Sequence, residues 1–158
     1  MREPMRIWWA RPRKLCAMER PGGGGRSHRP ERRAAEIAWL RDAGVHTVIS
    51  TMPTRHNLAA YDEAGLHWLH VPAEDQEAAL EQLLPVLRRR LRRAGAVAVH
   101  GNRRTDFVAA VCAAYLHEAH GVPVEEALAR AAEAGLDVTA ASAALVGADQ
   151  ALAVTASR

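Results

Sequence analysis

The residues with the most chemical potential lie in one short polar turn, His100-Gly101-Asn102-Arg103-Arg104-Thr105-Asp106. An apolar run, Ala96–His100 (AVAVH), precedes it and reads as a strand of the kind buried in a parallel sheet. A helix is expected to follow over 105–120, with Phe107, Val108, Val111, Cys112, Tyr115 and Leu116 as its apolar positions. Such a strand–turn–helix unit places the turn at the C-terminal edge of the sheet, where open α/β sheets bind ligands. The start of the helix adds unpaired N–H groups and the positive end of its dipole. Gly101 allows close approach, Arg103 and Arg104 bring charge, and Thr105 brings a hydroxyl. His100, Gly101, Asn102, Arg103, Arg104 and Thr105 are therefore the candidate anion-binding set. Two cations at a helix start are electrostatically misplaced, which favours an anionic partner.

The other reactive side chains offer less. Cys16 and Cys112 are too few for a disulfide framework or a zinc site, and both sit in apolar stretches, so they read as core. His67 and His70 fall on opposite faces of a strand, and His117 and His120, i and i+3 on a helix, have spacing that could bind a metal but read as partners of its C-terminal carbonyls, so neither metal nor cofactor is expected. The basic run from Arg88 to Arg93 has no interleaved aromatic for stacking. It reads as the solvated end of a helix, and nucleic acid is not an expected partner. Trp8 and Trp9, adjacent in an extended segment, face opposite ways, which leaves one of them available to anchor a partner.

A chain of 158 residues, half of them apolar and a quarter charged, is sufficient for one domain over 1–158 with a real core. No apolar stretch is long enough for a membrane span or an export signal, so a cytoplasmic location is the expectation. The stretch 19–30 (ERPGGGGRSHRP) reads as a mobile surface loop, a linker. Helix and strand then alternate. Helices are expected over 31–43, 58–64, 76–93, 105–120, 123–134 and 140–154, with Pro85 inside the third. Strands are expected over Val45–Ser50, 67–71 and Ala96–His100. The chain beyond 150 reads as a frayed end. The pattern implies an α/β fold, a mostly parallel central sheet flanked by helices.

These segments together resemble the protein-tyrosine and dual-specificity phosphatases. That superfamily carries, between a buried strand and a helix, His-Cys, five residues, then Arg-Thr or Arg-Ser. Here Val99-His100 is similar to the strand end and Arg104-Thr105 to the closing pair. LCAMERPG at 15–22 is similar to the entry strand of small bacterial and atypical dual-specificity members. IAWLRDAGVHTVIS at 37–50 is similar to their helix and strand, and YDEAGLHWLHVPAED at 61–75 to their strand and general-acid loop. The resemblance covers roughly residues 8–136.

It implies a general-acid position at Asp75 and an oxyanion-gripping arginine at Arg104. It also exposes a departure: only Gly101, Asn102 and Arg103 separate His100 from Arg104, where the superfamily has six residues beginning with the cysteine. Gly101 stands in the nucleophile's place. Covalent phosphoryl transfer in this superfamily needs a thiolate cradled by loop N–H groups. Loss of the thiol and of half the loop removes both. The expectation is a catalytically degenerate phosphatase-like protein, a pseudophosphatase binding a phosphorylated protein or small anionic ligand, with Asp75 vestigial. A hydrolase using a non-cysteine mechanism, such as a water activated by Asp75, is the alternative. The sequence leaves the oligomeric state open.

Overall fold

A computed structural model describes residues 1–148. Five strands form one sheet: β1 (Ile7–Arg11), β2 (Leu15–Met18), β3 (Val45–Ser50), β4 (His67–His70) and β5 (Ala96–His100), in the order β1-β2-β5-β3-β4. β1 pairs antiparallel with β2, and every other pairing is parallel. The helices are α1 (Pro30–Asp42), α2 (Leu58–Glu63), α3 (Gln76–Arg90), α4 (Asp106–His120), α5 (Val124–Glu133) and α6 (Ala140–Leu145). This is the expected α/β architecture.

Side chains alternate across the sheet with the period of two that a strand imposes. Leu15, Ala17, Val97 and Val99 face one layer, which holds Leu83 and Leu87 of α3, Val108 and Cys112 of α4, and Leu128 of α5. Cys16, Met18, Ala96 and Ala98 face the other, with Ile37 and Leu40 of α1 and Leu58 and Tyr61 of α2. β5 is buried on both faces throughout, as its unbroken apolar run requires. Both cysteines are buried and free, in the core where they were expected. Trp8 packs into the first layer and Trp9 half-buries against the second, so neither stands out as an anchor for a partner.

Two helix ends and one loop differ from expectation by more than a residue. α3 runs through Pro85 but ends at Arg90, with Leu91 as its C-cap, because the run of arginines gives no further apolar face to bury. α6 ends at Leu145 and 146–148 leave it in a turn, short of the helix expected to 154; 149–154, like the frayed end beyond 150, lie outside the described residues. The stretch 19–30 is not a surface loop throughout: Arg20, Pro21, Gly22 and Gly23 are buried. The Gly22 N–H donates to Oε1 of the buried Glu36 at 2.8 Å, and Arg32 holds the other oxygen at 3.1 Å, which ties the loop to α1.

Register decides where function can gather. Met18, His100, Ser50 and His70 lie side by side, each the last residue of its parallel strand. The loops that leave β2, β5, β3 and β4 therefore converge on one edge of the sheet. Among the described residues, no helix is long and apolar enough to cross a membrane.

Candidate functional site

The turn after β5 is held from beneath by a chain of polar side chains. His100 is fully buried, with Nε2 2.7 Å from the Tyr61 hydroxyl and Nδ1 2.7 Å from the Gly101 carbonyl oxygen. A carbonyl can only accept, so Nδ1 carries the proton and Nε2 accepts from Tyr61. The Tyr61 oxygen in turn accepts from Asn57 Nδ2 at 3.3 Å, and Asn57 Oδ1 accepts from Arg20 Nε at 3.2 Å and Nη2 at 3.0 Å. Each member has one role, running without conflict from Arg20 to Gly101. Burial pushes the His100 pKa down to about 4, assisted by the Arg20 and His70 charges and opposed by the Gly101 carbonyl. Burial likewise pushes the Tyr61 phenol up. His100 is therefore a neutral strut under the turn. Its place in the expected anion-binding set is corrected, because a side chain with both nitrogens engaged inside the core cannot also face a ligand.

Above the strut, the glycine run lies against the turn. A Cβ on Gly24 would fall 2.7 Å from the Arg103 Cα and N and from the Asn102 carbonyl carbon. The Gly25 N–H donates to Asn102 Oδ1 at 3.2 Å, and the Arg103 stem lies over Gly25. The glycines are thus not a linker. They are the residues small enough to let two backbones touch.

The start of α4 meets two of the protein's own carboxylates. Asp137 Oδ2 accepts from the Thr105 hydroxyl at 3.2 Å and from its N–H at 3.4 Å, and also pairs with Arg6 at 3.0 Å. The Asp137 N–H donates back to Thr105 Oγ1 at 2.8 Å. Thr105 is fully buried, so its expected contact with an anion is corrected as well: the hydroxyl is turned toward Asp137. Asp106, the first residue of α4, accepts from Thr139 at 3.1 Å and lies 3.5 Å from Arg104. These carboxylates explain how two arginines are tolerated at a helix start. Nothing near the turn in sequence announces Asp137, which arrives 32 residues later through the α5–α6 connection.

A cleft of about 560 Å³ opens over the turn, lined among others by Thr51, Gln76, Asn102, Arg103, Arg104 and Thr139. Its hydroxyls are committed as donors, Thr51 to the His100 carbonyl at 3.0 Å and Thr139 to Asp106. Neither cysteine lines it, and burial raises both thiols, so neither supplies a thiolate. Asp75 is exposed, does not line the cleft, and caps α3 by accepting from the Ala78 N–H at 3.1 Å. Asp75→Ala is accordingly expected to lower stability by about 1 kcal/mol, while Asp75→Asn, an equally good cap, leaves it nearly unchanged. Urea unfolding of the two variants distinguishes a cap from a carboxylate needed for its charge. Among the described residues, no group of three His, Cys, Asp or Glu side chains is placed to hold a metal ion.

In sequence, no protein-family model and no curated protein matches the chain. In structure the matches are extensive. Tk-PTP in the active form superposes with a TM-score of 0.68 at 18% identity, covering 89% of this chain and 93% of its own. Human DUSP28 gives a TM-score of 0.67 at 23% identity, covering 96% and 97%. A kinase associated phosphatase with its catalytic cysteine replaced by serine gives 0.67 at 16% identity, covering 93% and 94%. The superpositions cover nearly the whole of each chain: this chain has the fold of the protein-tyrosine and dual-specificity phosphatases.

Proposed function

We propose that the protein is a non-catalytic phosphatase-fold domain that binds an oxyanion-bearing ligand, a phosphorylated protein or a small anion, in the cleft over the turn. The observation that carries this reading is the composition of the cleft: two arginines at its rim and no activated nucleophile among its lining residues. Arg103 and Arg104 are exposed, and their guanidinium forks suit a phosphoryl group. Asp106 is the one carboxylate in the lining, and it tempers the affinity. Millimolar binding of a bare anion is in keeping with that balance.

The turn also argues against repair by one substitution. A Cβ on Gly101 would lie 3.2 Å from the Arg104 carbonyl oxygen and 3.5 Å from Thr51 Oγ1. A thiol there would face a carbonyl dipole where a phosphatase needs N–H donors, which disfavours the thiolate. The experiment is a pair of titrations. Phosphate at millimolar concentration is expected to raise the melting temperature, and Arg103→Ala with Arg104→Ala to reduce that rise. Hydrolysis of an aryl phosphate by the wild type and by Gly101→Cys is expected to match buffer. Turnover above buffer in either protein, or a phosphate response indifferent to both arginines, overturns the reading.

A further inference from the structure

Arg20 is a buried cation without a counter-ion. It is 6% exposed, its guanidinium donates to the neutral Asn57, and it makes no ion pair among the described residues. A buried guanidinium lacking a carboxylate is costly, and proteins normally pair such a charge. The nearby carboxylates are already in use, Glu19 and Glu36 both on Arg32.

Two further groups share the place. Gly22 lies between them: a Cβ on it would fall 2.5 Å from His28 Cε1 and 2.8 Å from Arg33 Cβ. The Arg33 side chain makes no hydrogen bond or ion pair among the described residues. His28 Nδ1 lies 2.9 Å from the Gly23 carbonyl oxygen and so carries the proton. His28 Nε2 is buried with no partner, the one such side-chain atom among the described residues. Burial lowers the His28 pKa against the pull of the Gly23 carbonyl, and Arg20, Arg33 and His56 lower it further. Arg20, Arg33 and His28 thus lie near enough to act on one another electrostatically, and the His28 ring carries an unpartnered buried nitrogen.

We propose that Arg20, Arg33 and His28 form a second oxyanion site under the glycine-rich loop, which takes a phosphate group and is separate from the turn after β5. A tetrahedral polyanion matches donors that arrive from the β2–α1 loop, from α1 and from the imidazole, and arginine forks favour phosphate. The bound anion supplies the missing counter-charge. It also reverses the field on His28, so that Nε2 takes up a proton and donates to the ligand. The charged and titratable groups that act on this imidazole are Arg20 after β2, Arg33 on α1 and His56 before α2. The Glu36 carboxylate, which acts on the neighbouring Tyr61, is held by Arg32 and the Gly22 N–H.

The test is a titration with inorganic phosphate followed by histidine-ring NMR, the His28 signal being identified by its loss in His28→Gln. Saturable movement of that signal toward the protonated position is expected. Arg33→Ala, at a partly exposed site, is expected to weaken the response at least about tenfold, the loss of one charge-assisted bond. Arg103→Ala with Arg104→Ala is expected to leave it intact. A His28 signal that ignores phosphate, or responds equally in Arg33→Ala, overturns the proposal; so does a response abolished by the turn variants. A parallel titration with phenyl phosphate tells a free anion from a phosphomonoester, since exclusion of the ester assigns the site to inorganic phosphate. The turn reading can fail while this one stands, because the two variant pairs report separately.

Discussion

Between pH 6.5 and about 4, the unfolding free energy is expected to fall by about 3 kcal/mol on account of His100 alone. The folded pKa of about 4 lies below the ordinary 6.5 because the ring is buried and neutral. Above pH 6.5 neither state binds this proton, and the contribution is fully present. As the pH falls, the unfolded chain takes the proton first, and stability declines until the folded state can also take it near pH 4. Below that point the loss from this group levels off. Carboxylates titrate over part of the same range, so the measurement is a difference. Urea unfolding of wild type and His100→Gln at pH 7 and pH 4.5 should show a shallower pH dependence in the variant. If that variant does not fold, NMR of the wild-type ring gives the same answer, because an imidazole titrating near 6.5 would contradict the assignment. Protonation at Nε2 removes the acceptor of the Tyr61 hydroxyl and leaves the Nδ1–H bond to the Gly101 carbonyl in place, so acid is expected to break the strut at Tyr61 and not at the turn.

Gly24→Ala is expected to be disruptive through steric overlap with backbone. The added Cβ would sit 2.7 Å from three backbone atoms of Asn102 and Arg103, and backbone cannot rotate aside as a side chain can. Gly24 has φ −100°, so alanine suffers no conformational strain there and the effect is steric alone. Overpacking of this kind costs about 1–3 kcal/mol. Separation of the loop from the turn also breaks the bond from the Gly25 N–H to Asn102. Calorimetry should therefore show a lower melting temperature together with a weaker phosphate response from Arg103 and Arg104. A variant as stable as wild type would mean that the loop does not rest on the turn.

The sequence by itself determined the architecture and placed the polar turn after β5 at the sheet edge. The periods of the apolar residues in β3, β5, α3 and α4 are local properties, and each element buries the face that its pattern marks. The absence of a cysteine from the turn is also local, since it is a matter of which residues stand between His100 and Arg104. Tertiary structure decided what the remaining polar residues do. His100 and Thr105 carry the right chemistry for an anion, but β5 lies between two strands, and burial committed the first to Tyr61 and the second to Asp137. Asp75 looks like an acid in sequence and acts as a cap, because it falls where α3 needs an acceptor. The glycine run reads as a linker until the sheet order sets β2 beside β5 and brings 24–25 against 102–103. Side-chain type and spacing along the chain set what each group could do. Which groups met, and which were spent on one another, depended on pairings 32 to 77 residues apart, for which no local pattern exists. What survives of the turn is a pair of exposed arginines on a strut of buried, neutral side chains.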